Sequence, residues 1–305
     1  MTASAAPTPA TVSQATVRRH QAEGLAAGFP PLLVAAERVA STVAQGVHGR
    51  RRVGQGDSFW QFRQYQPGDP VQRIDWRQSA KREHAYIREN EWEAAQSVWL
   101  WRDASPSMAW RSNRALPEKR ERAELLLLAL MSLLVRGGER VALLGLPVRP
   151  STGRGAFSRL ADALLTGAAT TQGSLPRFEL LPRFAHVVMV GDFLGSLDGV
   201  NDLVGRFAGR GIGGYLLQVL DPAETALPYT GRVRFEGLEN EAEHPVIGRV
   251  EAVRGEYRDR IEAQRQGLIT IARAAGWTYA RHTTDHPPQT ALLAMYQAMA
   301  RSTRR

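Results

Sequence analysis

Apolar and polar positions along this chain fall into two regimes. From residue 97 onward, short apolar runs alternate with stretches of helical period. "SVWLWRD" (97–103), "ERVALLGL" (139–146), "HVVMVGD" (186–192), "GGYLLQVLD" (213–221) and "WTYARH" (277–282) read as five strands. The third is apolar throughout, as expected of a strand buried on both faces. Between and after them, apolar residues recur at helical spacing over 117–135, 154–167, 196–211, 256–276 and 287–302. Ser196 is placed to cap its helix, and Gly137 and Gly138 to stop the first one. Strand–helix alternation of this kind predicts an α/β fold: a doubly wound, mainly parallel sheet covered by helices on both faces.

Upstream the pattern is different. Residues 1–12 are small, polar and proline-containing, and read as a disordered tail. A helix is expected over 31–47, with Pro31 in its first turn and Gly46 near its end. Residues 48–93 are dense in aromatics, arginines and turn signals such as "GQGD" and "PGDP", with short alternating strands expected over 59–65 and 85–91. The chain therefore divides into a tail (1–12), a helix and irregular β-containing extension (13–95), and an α/β body (96–305), with the extension packed on the body.

Composition narrows the chemistry. The chain has 305 residues, 43% of them hydrophobic, enough to bury a full core. It has no cysteine, which excludes disulfides, thiolate metal sites and cysteine nucleophiles. The net charge of +9 is carried almost wholly by arginine, Lys81 and Lys119 being the only lysines. The arginines are scattered among acidic neighbours, so nucleic-acid binding is not expected. The longest greasy run, "LLLLALMSLLV" from Leu125, is about half of the roughly 20 residues needed to span a bilayer. With no signal-like apolar core at the N-terminus, the chain is expected to be soluble and cytoplasmic.

The first and third strands end in aspartate at the carboxyl edge of the sheet, at Asp103 and Asp192. Ligands bind at that edge in doubly wound sheets, near the switch in strand order. A carboxylate closing a buried strand needs a compensating partner: a helix N-terminus, an arginine or a metal. Asp103 opens D-x-S-x-S with Ser105 and Ser107, whose alternate positions face one way in an extended loop. Hard oxygen ligands with few charges suit Mg2+. A capped turn before the next helix is the competing reading.

These residues carry a resemblance. From Ser97 onward the chain resembles a von Willebrand factor type A domain, in which D-x-S-x-S forms part of a metal-ion-dependent adhesion site. The resemblance implies that an aspartate after a later strand, here Asp192, and a threonine from a second loop complete it. Thr170 and Thr171 lie in the right interval without the glycine–threonine setting of the family, and Thr171 is taken with Asp103, Ser105, Ser107 and Asp192 as the candidate Mg2+ set. Upstream, Phe59 or Phe62, Arg63, Tyr65, Pro67, Gly68, Asp69, Arg73, Ile74, Asp75, Trp76, Ser79 and Ala80 match in order the signature of the domain of unknown function 58 family, with Lys81 where arginine is usual. Together the two resemblances cover about residues 33–279, and the chain is similar to the short form of the family that lacks membrane-spanning helices.

The resemblance implies a non-enzymatic adaptor that acts with a MoxR-type AAA+ ATPase on protein clients, in the assembly or maturation of other proteins. No P-loop, nucleophile elbow or dinucleotide fingerprint occurs, so catalysis is not expected. The alternatives are a metal-dependent hydrolase using the same carboxylates and a basic nucleic-acid binder. Within the signature, Tyr65 and Trp76 are expected to fill a satellite core, with Asp69 or Asp75 pairing Arg63 or Arg73. "HTTDH" offers His282, Asp285 and His286 as metal ligands, though a solvated loop is the expected state.

Overall fold

A computed structural model of the chain describes residues 31–46, 53–66, 69, 71–81, 84–91, 96–168, 173–235 and 246–302. The expected tail, 1–12, lies outside them. Five strands form one parallel sheet: β3 (Ser97–Arg102), β4 (Arg140–Leu143), β5 (His186–Gly191), β6 (Gly213–Leu220) and β9 (Thr278–Thr283), in the order β4-β3-β5-β6-β9. Counted in chain order along the sheet this is 2-1-3-4-5. The connection reverses direction between β3 and β5, so the crevice at their carboxyl ends is the topological switch point.

Strand alternation splits the core in two. Val98, Leu100, Val188, Val190 and Leu217 face one layer, packed under helices α1 (Pro31–Gly46), α3 (Lys119–Arg136), α4 (Arg154–Leu165) and α8 (Pro288–Ser302). Trp99, Trp101, Val187, Met189 and Leu216 face the other, under α5 (Leu197–Ala208) and α7 (Val250–Ala274). The greasy run from Leu125 is the middle of α3, apolar nearly all round because the helix lies between the sheet and α1. No helix among the described residues is long and apolar enough to cross a membrane. Helix α1, grouped by sequence with the extension, belongs to the body's core: Ala36, Val39, Ala40 and Val43 are buried in it, and Glu37 accepts from the Ser132 hydroxyl at 2.7 Å and pairs with Arg136.

The signature segment forms an antiparallel hairpin of β1 (Val53–Gln64) and β2 (Tyr86–Glu91), with a single helical turn α2 (Trp76–Ser79) between them. Polar bonds fix that turn. Ser79 Oγ donates to the Asp75 carbonyl at 2.8 Å and accepts from the Tyr86 N–H at 2.8 Å. Asp69 Oδ2 accepts from the Gln66 N–H at 2.8 Å. The expectation that Trp76 is a core aromatic fails, since the residue is 65% exposed. The turn that Ser79 ties down leaves the indole largely in solvent, while Ile87 on β2 is buried.

Besides the turn α2, the sequence did not lead one to expect the short helix α6 (Pro222–Ala226) after β6 or the paired segments β7 (Val233–Arg234) and β8 (Val246–Ile247). Helix α7 also starts earlier than periodicity suggested, at Val250, a fully buried residue whose N–H donates to the Gly231 carbonyl at 3.1 Å.

Candidate functional site

Three neighbouring strands, β3, β5 and β6, each run into an aspartate at the carboxyl edge: Asp103, Asp192 and Asp221, which are 0%, 3% and 0% exposed. Asp103 packs directly over β5. Its N–H donates to the Val190 carbonyl at 2.8 Å. A Cβ on Gly191 would stand 2.9 Å from the Asp103 Cβ, so the approach of the two strand ends requires glycine there. Asp103 Oδ1 accepts the Ser105 N–H at 2.8 Å, a local turn of the kind aspartate favours.

From that turn a chain of hydroxyls leads to the second strand end. Ser105 Oγ and Ser107 Oγ are 3.0 Å apart, and Ser107 Oγ donates to Asp192 Oδ2 at 2.7 Å. The Leu194 N–H donates to Asp192 Oδ1 at 3.3 Å. Behind it Gln218 Nε2 donates to the Asp192 carbonyl at 2.8 Å, and Gln218 Oε1 accepts from Tyr279 OH at 2.6 Å. The structure thus brings together Asp103, Ser105, Ser107 and Asp192. Thr171, the fifth member of the candidate set, lies outside the described residues, as does Thr170.

The charge opposite Asp192 comes from Lys119, the first residue of α3. Its Nζ donates to Asp192 Oδ2 at 2.9 Å and to Glu224 Oε1 at 2.5 Å, and the residue is 0% exposed. A cation in the first turn of a helix is opposed by the helix dipole, so this position depends on the two carboxylates. Burial pulls the ammonium down, but Asp192 and Glu224 outweigh it and hold it above the ordinary lysine range. Glu224 is set by α6. Asp221 caps that helix through the Ala223 N–H at 2.8 Å, and Glu224 Oε2 returns to accept the Asp221 N–H at 2.8 Å, a reciprocal capping box. Asp221 Oδ2 also accepts the Ser112 N–H at 3.0 Å, which pins the loop between β3 and α3 across the end of β6.

Mg2+ binds carboxylate oxygens at about 2.0–2.1 Å in near-octahedral geometry. An ion on Asp192 Oδ2 would compete for space with an ammonium 2.9 Å from the same oxygen. The residues as arranged do not fit a divalent cation. Among the described residues no group of three or more histidine, aspartate or glutamate side chains is arranged to hold a metal ion. That covers "HTTDH": His286 Nδ1 pairs with Asp285 Oδ1 at 2.8 Å on the surface, while His282 is buried against Arg122 Nη1 at 3.4 Å.

Sequence reading missed Lys119, Asp221, Glu224 and Gln218. Asp221 was visible as a third apolar strand ending in aspartate, and "DPAE" carries the capping-box spacing. Lys119 stood out only as one of two lysines in an arginine-rich chain.

Residues 61–267 match the family model described as "Protein of unknown function DUF58". The chain belongs to the DUF58 family. Uncharacterized proteins of Mycobacterium tuberculosis and Mycobacterium bovis are each 28% identical to it over 232 residues, 71% of this chain and 71% of theirs. Among solved structures, a conserved hypothetical protein BatB from Bacteroides thetaiotaomicron aligns at a TM-score of 0.44 and 18% identity, covering 69% of this chain and all of that one. An aerotolerance-related membrane protein from Bacteroides fragilis aligns at 0.43 and 19%, covering 68% of this chain and all of that one. The family match spans both regions of this DUF58 chain, from the signature hairpin through the strand-end site to the middle of α7.

Proposed function

We propose that this DUF58 chain is a non-enzymatic interaction module that acts with a MoxR-type AAA+ ATPase in the assembly or maturation of other proteins. The observation that carries the reading is Trp76. It sits in the family signature, on a turn fixed by its own hydrogen bonds, with 65% of its surface exposed and Val71, 58% exposed, five residues before it. A rigidly presented tryptophan is the residue type that dominates protein interfaces. The strand-end network supports the same reading from the other side. Asp192, Asp221 and Glu224 accept from Lys119, Ser107, Ser112 and the α6 backbone, which suits a rigid docking scaffold.

Capture of a MoxR-type AAA+ ATPase tests the proposal. The wild-type protein is expected to retain the ATPase in a pull-down at moderate salt, and Trp76→Ala to lose at least tenfold in affinity. No retention by wild type, or retention unchanged in Trp76→Ala, overturns it.

A further inference from the structure

We infer that Lys119 is the resident cation of the strand-end site: its ammonium does the charge-balancing work of a metal ion, and the wild-type chain takes up no divalent cation there. The inference is independent of the ATPase partnership. It rests on where the ammonium lies and how it is enclosed. Nζ is within hydrogen-bond distance of one oxygen of Asp192 and one of Glu224, and the whole residue has no exposed surface. Asp192 Oδ2 is already shared between that ammonium and the Ser107 hydroxyl. A divalent ion on Asp192 would have to displace one of these donors while standing beside a fixed positive charge in a water-poor environment, where like-charge repulsion is strongest. Lysine and metal are therefore alternatives at the same carboxylates.

The geometry carries a second consequence. Asp192 comes from the end of β5, Glu224 from α6, and the ammonium is what holds their oxygens on one point. Removal of the lysine side chain leaves two carboxylates facing a space lined by the Ser107 hydroxyl. That donor set resembles how Mg2+ and Mn2+ are commonly held, through one or two carboxylates with waters filling the remaining positions. A latent divalent-cation site is thus built into the fold and closed by one side chain. Because the ammonium is wholly enclosed, an acidic side chain of a partner cannot reach the cation of this site. Recognition by completing a metal coordination shell is closed to the wild-type chain.

The test uses the full chain after chelator treatment, titrated with Mn2+ and followed by the free-ion paramagnetic resonance signal, with thermal melting in Mg2+ and Mn2+ alongside. Wild type is expected to show no saturable binding up to millimolar ion and no shift in melting temperature. Lys119→Ala is expected to go from none to one ion per chain, with a rise in melting temperature that Lys119→Ala/Asp192→Asn loses. Should Lys119→Ala fold only when refolded with Mn2+, the same conclusion follows from that dependence. One ion bound by wild type and lost in Asp192→Asn overturns the inference. A folded Lys119→Ala that binds no ion overturns the claim that lysine and metal exclude one another. If Lys119→Ala folds under neither condition, the wild-type titration decides alone.

Discussion

The signature hairpin and the strand-end site put their conspicuous residues to opposite uses. The hairpin carries the long ordered match to the family, yet its tryptophan lies in solvent and Val71 with it. The strand-end site announces itself with five residues, D-x-S-x-S, yet it holds a lysine with no exposed surface and three buried aspartates. The difference is one of enclosure. Among the described residues the hairpin buries Ile87 but leaves the Trp76 indole open. The strand ends are roofed by the first turn of α3, by α6 and by the loop that Ser112 ties to Asp221. Residue type alone therefore says little about burial: a tryptophan stays outside on a short turn, and even a lysine goes fully inside where three elements converge with carboxylates to meet it.

The strongest way to break this comparison is to remove the buried charge. Lys119→Met strands Asp192 and Glu224 without their cation and is expected to destabilise the protein by about 3–5 kcal/mol, the usual cost of breaking a buried ion pair from one side. Urea denaturation in chelator at neutral pH measures it. Adding Asp192→Asn and Glu224→Gln to the same protein is expected to recover most of that loss, because a buried group of neutral residues carries no uncompensated charge. A loss of less than about 1 kcal/mol for Lys119→Met, within the range of surface ion pairs, would mean that the strand ends are wetter than their burial indicates.

That dependence explains what could be read from sequence and what could not. The five strands and the main helices were legible because each states its own burial locally, as an apolar run or a helical period. "HVVMVGD" is such a case, and β5 is buried at all six positions. Asp103, Ser105, Ser107 and Asp192 were legible because a motif and a strand end mark them. Lys119 and Glu224 lie 73 residues before and 32 residues after Asp192 respectively, on separate elements, and no local pattern joins them. Their meeting depends on the order of strands in the sheet, which places β5 and β6 side by side. Trp76 was misread for the converse reason: aromatic type suggested a core, and only the tertiary structure shows it 65% exposed.

A second test stays within the roof of the body. His282, at the end of β9, is 5% exposed, and burial together with the Arg122 guanidinium and His286 drives its imidazole down to about 4, with Asp285 opposing. Arg122 is fixed there by the carbonyls of Thr284 and His286, both at 2.8 Å, which ties α3 to the turn after β9. The folded state binds this proton less readily than the unfolded chain, whose histidine titrates near 6.5. The stability contributed by neutral His282 is therefore complete above pH 6.5 and is lost as pH falls toward 4, about 3 kcal/mol over the window. Stability measured by urea from pH 7 to 4 is expected to fall more steeply in wild type than in His282→Gln. Parallel curves would place the acid sensitivity elsewhere.

The smallest expected effect on stability falls on the most conspicuous residue. With 65% of its surface exposed, Trp76 has little buried area to lose, and Trp76→Ala is expected to change stability by no more than about 0.5 kcal/mol, as for surface positions in general. The turn around it is held by Ser79 to Asp75 and Tyr86 and does not need the indole. Urea denaturation of Trp76→Ala beside Ser79→Ala separates the two contributions: the serine variant, which leaves the Tyr86 N–H without its hydroxyl acceptor, is expected to lose more than the tryptophan variant. Partner capture should rank them the other way, with Trp76→Ala losing affinity while its fold is intact. A Trp76→Ala protein that melts 2 kcal/mol or more below wild type would show that the indole is covered in solution, a loss of the size seen for buried aromatics. The contrast between exposed signature and enclosed strand ends would then fail at its outer half.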